Sequence, residues 1–160
     1  MSKADLIRQI TTQLQRELDT LLSASEQAHR SATHSESKAE NKYDTRGLEA
    51  AYLAHGLSLR AQELQAAVAA FGQWQVPEFD MDTPIALGAL VTLEDDCGEQ
   101  KRVLLAAHGG GLKGRTDDGE VRVVTPKAPL GKALLGREWG DEVAVELQGR
   151  RQRFEIVGLA

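Results

Sequence analysis

A chain of 160 residues has room for one ordinary domain, or for a small domain with an extended appendage. Hydrophobic residues make up 41% and charged residues 27%, the balance of a chain that folds, while an aromatic share of 4% leaves little with which to stack the bases of single-stranded nucleic acid. Asp and Glu number 24 against 19 Lys and Arg, and a formal charge of -5 is the wrong sign for grasping a phosphate backbone, so free DNA is not expected as a partner.

From Met1 to Gln15 the chain carries Asp5 and no unbroken apolar run, which fits neither a secretion signal nor a membrane span. No other stretch is apolar enough for long enough to cross a bilayer. Ser2 to about Ser31 lacks Pro and Gly, and Leu6, Ile10, Leu14, Leu18, Leu21 and Ala28 recur at intervals near three or four, which predicts a long amphipathic helix. A polar stretch from Ser31 to Asp44 follows. A second helical pattern then runs from about Gly47 to Phe71, with Leu48, Tyr52, Leu53, Leu57, Leu64, Val68 and Phe71 on its apolar side. One narrow stripe on each helix predicts an antiparallel coiled-coil hairpin over residues 1–75, a rod roughly 45 Å long whose tip, near 32–46, lies far from its base.

Within the tip, Glu36, Glu40 and Asp44 are four residues apart, so a helix would set them on one acidic stripe about 80° wide, with Lys38, Lys42 and Arg46 on the far side. Like charges at this spacing cost a helix about 0.2 to 0.5 kcal/mol per pair. Taken alone, the three carboxylates read either as a solvated turn or as oxygen ligands held there for a purpose. His29 and His34 are five apart, which matches no helical metal pair, and with His55 and His108 they read as surface histidines.

The helical period stops at Gly72. Pro77 and Pro84 bracket Asp80 and Asp82, which predicts an interdomain linker over 76–84, with Trp74 as a hydrophobic plug at the base of the hairpin. Short apolar or alternating runs come next: Ala89 to Leu93, Arg102 to Ala107, Val121 to Thr125, Glu142 to Leu147 and Arg153 to Leu159. Together with a helical segment at Leu130 to Leu135 they predict an α+β, mainly antiparallel domain over 85–160. The single cysteine, Cys97, excludes an internal disulfide, favours a cytoplasmic location, and sits in the turn Asp95 to Gly98 as a bystander rather than a reactive thiol. Gly109 to Gly111 lacks the Lys-Ser/Thr ending and the following helix of a phosphate loop, and reads as a flexible loop.

Thr125 to Val145 reads TPKAPLGKALLGREWGDEVAV, and this segment resembles the signature of the Gre transcript-cleavage factors of bacterial RNA polymerase. The match runs through Pro126, Leu130, Gly131, Ala133, Leu134, Leu135, Gly136, Gly140, Asp141, Glu142 and Val143, and the closing strand Phe154 to Val157 also fits. On their own physics the glycines bracket a short helical turn and the Ala-Leu-Leu run fills the space beneath it, so these residues read as fold determinants as readily as contacts. The resemblance implies an FKBP-like domain, without isomerase activity, that grips the rim of the polymerase secondary channel while the coiled coil enters the channel. It also places polymerase contacts at Lys127, Pro129, Leu130, Lys132, Leu134, Arg137 and Trp139.

At the tip the family typically has Gly-Asp-Leu-Lys/Arg-Glu-Asn-Ala-Glu-Tyr, where this chain has Glu40-Asn41-Lys42-Tyr43-Asp44 and Ser37 falls on the family's Asp. The resemblance implies that Glu40 and Asp44, with Glu36 third, act inside the polymerase by holding Mg²⁺ shared with its active site, and that the free protein carries no cofactor. Such a chain is an accessory factor rather than an enzyme. It is expected in the cytoplasm, with bacterial RNA polymerase as its partner, the nascent RNA 3′ end reached only indirectly, and neither membrane nor free DNA bound. The departure at the tip keeps a second reading open, a non-cleaving Gre-like regulator of initiation, pausing or stress response. A third is a coiled-coil interaction or chaperone-like protein unrelated to polymerase.

Overall fold

The structure, a computed structural model, describes residues 2–33 and 46–160, with side chains for 2–24, 26, 27, 30 and 55–160. The chain order is helix α1 (Lys3–Thr33), helix α2 (Arg46–Gln73), strands β1 (Leu90–Glu94), β2 (Gln100–Leu105), β3 (Lys113–Thr116) and β4 (Gly119–Val124), helix α3 (Pro129–Leu134), and strands β5 (Glu142–Leu147) and β6 (Arg150–Leu159). Contacts divide it into a helical unit, Thr11–Gln73, and a sheet unit formed by Met1–Ile10 with Trp74–Ala160.

In the helical unit, Leu14 and Leu18 of α1 and Ala61, Leu64, Ala67 and Phe71 of α2 are buried. Each buried leucine stabilises the pairing by about 1.5 to 3 kcal/mol. The seam of α2 differs from the expected stripe: Leu57 and Val68 are half-buried, while Ala61 and Ala67 take fully buried places. A small residue on a helix face lets its neighbour approach, and hydrophobicity alone passes over it. Across the unit, Arg60 of α2 reaches Glu17 of α1 at 3.4 Å. Both groups are exposed, so this pair contributes less than about 1 kcal/mol and serves alignment more than stability. Ala28, Leu48, Tyr52 and Leu53 have side chains outside the described residues.

The sheet unit holds six strands in the order β3-β4-β2-β1-β6-β5, one more than expected. All neighbours are antiparallel except β2 and β4, which run parallel, so the sheet is mixed. The unexpected strand is β3, Lys-Gly-Arg-Thr, whose one buried residue is Gly114. It lacks the apolar alternation that marks a strand because the apolar side chains that fill its inner face come from α1. A Cβ on Gly114 would lie 2.5 Å from Leu6 Cδ1 and 3.6 Å from Ile10 Cδ1. β3 is also an edge strand, and Gln9 closes that edge: its Nε2 donates to the Arg115 carbonyl at 2.8 Å and its Oε1 accepts from the Arg115 N–H at 2.9 Å.

The sheet thus buries both faces at this end. On one face Leu104, Val121 and Val123 are buried, on the side of Gly114 where Leu6 and Ile10 lie. On the other, Val91, Leu93, Val103, Leu105, Val143, Val145, Phe154 and Ile156 form the main core under Leu130 and Leu134 of α3. Residues 76–84, expected as a linker, fall within this unit, where Phe79 packs against the core just before Ile85 enters it. Lys3 pins the same stretch, donating to the carbonyls of Pro77 (2.7 Å) and Ala160 (2.9 Å) with its ammonium 5.0 Å from the centre of the Phe79 ring. Partial burial lowers the Lys3 pKa to about 8, against an opposing pull from Glu78. The expected flexible loop is an ordered turn, in which the Gly111 N–H donates to Val123 and the Leu112 N–H to Gly109.

Candidate functional site

The signature segment starts where β4 ends. Thr125 turns the chain, its carbonyl accepting from the Ala128 N–H at 3.1 Å, and Pro129 starts α3, where its missing N–H leaves nothing unsatisfied. α3 then presses onto the turn it came from. A Cβ on Gly131 would stand 2.0 Å from the Thr125 carbonyl oxygen and 3.2 Å from Pro126 Cα, so only glycine fits. After α3, the Gly136 N–H donates to Ile85 and the Ile85 N–H to Arg137, at 2.8 and 2.7 Å, which ties this segment to the stretch before β1. Asp141 caps the next turn by accepting from the Glu138 N–H at 2.8 Å. Most of the signature is therefore accounted for by the fold.

The seven residues expected as polymerase contacts divide accordingly. Leu134 is wholly buried and Leu130 nearly so, 0% and 7% exposed, and their side chains are spent in the core beneath α3. Lys127, Pro129, Lys132, Arg137 and Trp139 are exposed, and Leu135 joins Trp139 as an exposed large apolar side chain. Trp74 is half-buried. Cys97 is exposed in a turn organised by Asp95, whose carboxylate accepts from the N–H groups of Cys97 and Glu99 at 2.9 Å each.

Beside α3 the core-facing side of the sheet opens into a cleft of about 840 Å³. Val103 of β2, Val124 of β4, Leu130 of α3 and Leu147 of β5 give it an apolar floor, and Pro129 stands at its lip. Lys101 and Arg122 line it too, together with Glu120. Neither cation stood out in the sequence. Each sits on a different strand, and only the parallel register that sets Arg122 against Val103 and Val124 against Leu105 brings them to one face.

Glu36, Glu40, Asp44 and His34 lie outside the described residues, as does the side chain of His29. Among the described residues no three His, Cys, Asp or Glu side chains gather as a metal site, and no helix is long and apolar enough to cross a membrane.

The family "Transcription elongation factor, GreA/GreB, C-term" matches residues 81–160. The transcription elongation factor GreA of Desulfovibrio desulfuricans is 38% identical over 86 residues, 51% of this chain and 49% of that protein. GreA of Neorickettsia sennetsu is 32% identical over 75 residues, 47% and 44% of the two chains. The match thus spans about half the length of these curated relatives. Among solved structures, GreA factor homolog 1 (Gfh1) of Thermus thermophilus aligns over 94% of both chains with a TM-score of 0.41 and 22% identity. GreA/GreB from Nitrosomonas europaea aligns over 74% of this chain and 94% of that one, with a TM-score of 0.38 and 23% identity.

Proposed function

The chain belongs to the GreA/GreB transcription elongation factor family, and from that premise we propose that it is an accessory factor of bacterial RNA polymerase that enters the secondary channel and promotes cleavage of backtracked RNA. The family match over residues 81–160, which contains the whole signature segment, is the observation that carries this reading. The sheet unit, as an FKBP-like domain, docks at the channel rim through Lys127, Pro129, Lys132, Arg137 and Trp139, all of which are exposed on or beside α3. The helices, as an antiparallel coiled coil, carry Glu40, Asp44 and Glu36 toward the catalytic centre, reaching the RNA 3′ end only through the polymerase. These three carboxylates rest on sequence alone. They would hold Mg²⁺ shared with the polymerase, which would supply positive charge for activating a water and stabilising the leaving oxygen. The chain's carboxylates would bind it only in the complex. In this reading the cytoplasmic chain is no enzyme by itself.

The test is a stalled, backtracked polymerase complex with Mg²⁺. Shortening of the RNA 3′ end on adding the protein, abolished by Glu40→Ala with Asp44→Ala, is the expected result. Failure to bind polymerase at all would overturn the reading. The tip sequence, with Ser37 where the family has Asp, favours a second reading, a non-cleaving regulator in the same channel. That reading predicts polymerase binding and altered initiation or pausing with no cleavage, unchanged by the two alanine substitutions.

A further inference from the structure

We infer that the side-chain amine of Lys3 is an acylation site, which takes a small acyl group directly from an activated donor, an acyl phosphate or an acyl thioester, without a transferase. The site does not depend on polymerase binding.

Three segments of the sheet unit meet at this amine: the start of α1, the stretch from Pro77 to Phe79, and Ala160 just after β6. Lys3 Nζ donates to the Pro77 carbonyl at 2.7 Å and to the Ala160 carbonyl at 2.9 Å, and it stands 5.0 Å from the centre of the Phe79 ring. An ammonium has three N–H donors, whereas a neutral amine has two and a lone pair. Two carbonyls therefore satisfy the neutral form completely and leave its lone pair as the remaining position around nitrogen. Among the described residues no carboxylate forms an ion pair with Lys3. The residue is half-buried, and burial without such a pair favours the uncharged form.

The lowered pKa of about 8 agrees with this geometry, with Glu78 pulling the other way. At pH 7 about a tenth of such amines are neutral, against about one in three thousand at the ordinary value of 10.5. A lower pKa also weakens the neutral amine as a nucleophile, but with only about half the logarithmic weight, as for thiols. The balance favours reaction at Lys3 by about tenfold. The neighbours suit the step as well. Nitrogen becomes positive as it adds to the acyl carbonyl, and two carbonyl oxygens and a ring face are already in place to stabilise that charge. The N–C bond forms as the C–O bond to phosphate, or the C–S bond to the thiol, breaks. The leaving group takes the electron pair, and nitrogen gives up one proton to water. The amide product has a single N–H and no charge, so it cannot serve both carbonyls. Ala160 still accepts from the Leu90 N–H at 3.0 Å, so the loss falls on Pro77 and Phe79, and their stretch is unpinned.

Lys101 is an internal control. Its ammonium is 5.4 Å from the centre of the Phe154 ring, but the side chain is exposed and donates to no carbonyl among the described residues. The full chain is incubated near neutral pH with acetyl phosphate and, separately, with acetyl-CoA. Acetylation of each lysine is followed by mass spectrometry, with fragment masses that separate Lys3 Nζ from the chain's α-amine. Lys3 is expected to react about tenfold or more faster than Lys101, Lys113, Lys127 and Lys132, all of which are exposed, and to lose this lead in guanidinium chloride. The donor that labels it faster identifies the source of the group. Chymotrypsin should then cut after Phe79 faster in the acetylated chain and in Lys3→Gln, but not in Lys3→Arg. Equal rates at Lys3 and Lys101, or labelling of Lys3 by neither donor, overturn the site. A lead that survives guanidinium chloride also overturns it, since local sequence rather than the fold would then be the cause. Unchanged cleavage after Phe79 overturns the unpinning.

Discussion

A Cβ at Gly131, in α3, would stand 2.0 Å from the Thr125 carbonyl oxygen, whereas one at Gly56, in α2, would meet nothing within 4 Å. The sheet unit is held by close approaches, some local, as α3 on its own turn, and some between segments distant in sequence, as Leu6 on Gly114 and Lys3 on Pro77 and Ala160. Among the described residues the helical unit is held by one seam, of Leu14, Leu18, Ala61, Leu64, Ala67 and Phe71. A long face that is not committed to packing tolerates changes in sequence.

The same substitution in the two units tests this contrast most severely. Gly131→Ala forces the Thr125 backbone to shift, and a loss of about 3 kcal/mol or more is expected, read as a drop in the denaturant midpoint of the sheet unit. A change under about 1 kcal/mol would show that α3 is free to move off the turn. Truncating Leu134, which is wholly buried, should cost about 2 to 5 kcal/mol, with Leu64→Ala toward the lower end because a two-helix seam can collapse around the gap. Equal losses would erase the distinction between the units. Gly56→Ala should act in the opposite direction, stabilising α2 by about 1 kcal/mol in thermal or chemical denaturation, since it relieves the entropic cost of an exposed helical glycine and displaces nothing.

Stability should also depend on pH through Lys3. Lys3 has a folded pKa near 8 against an ordinary value of 10.5, so between those values the folded chain binds fewer protons than the unfolded one. Stability linked to this group therefore rises as pH increases from about 8 to 10.5. Relative to Lys3→Met, the parent chain should gain stability over that interval in denaturant titrations. A falling difference would mean that the two carbonyl hydrogen bonds and the Phe79 ring outweigh desolvation.

Legibility in the sequence followed the range of the interaction concerned. β5 was read with its observed ends, since Glu142 to Leu147 alternates one buried and one exposed side chain. β3 escaped because its inward position is glycine, and the fact that makes it a strand is written at Leu6 and Ile10, more than a hundred residues away. The signature around Leu130 and Leu134 was recognisable, yet whether its leucines face a partner or the core depended on how α3 lies, and both face the core. Arg122 and Lys101 carried no local mark, because a cation on a strand is ordinary until the pairing of that strand is known.

The sequence alone determined two amphipathic helices, a following α+β region with a short helix, and membership of a family, since helical period, strand alternation and a contiguous motif are all local properties. Only the tertiary structure decided that β2 and β4 run parallel, that the first ten residues belong to the sheet unit, and that Lys101 and Arg122 share a cleft with an apolar floor. These depend on register and close approach between segments far apart in the chain. No single window of residues contains both partners.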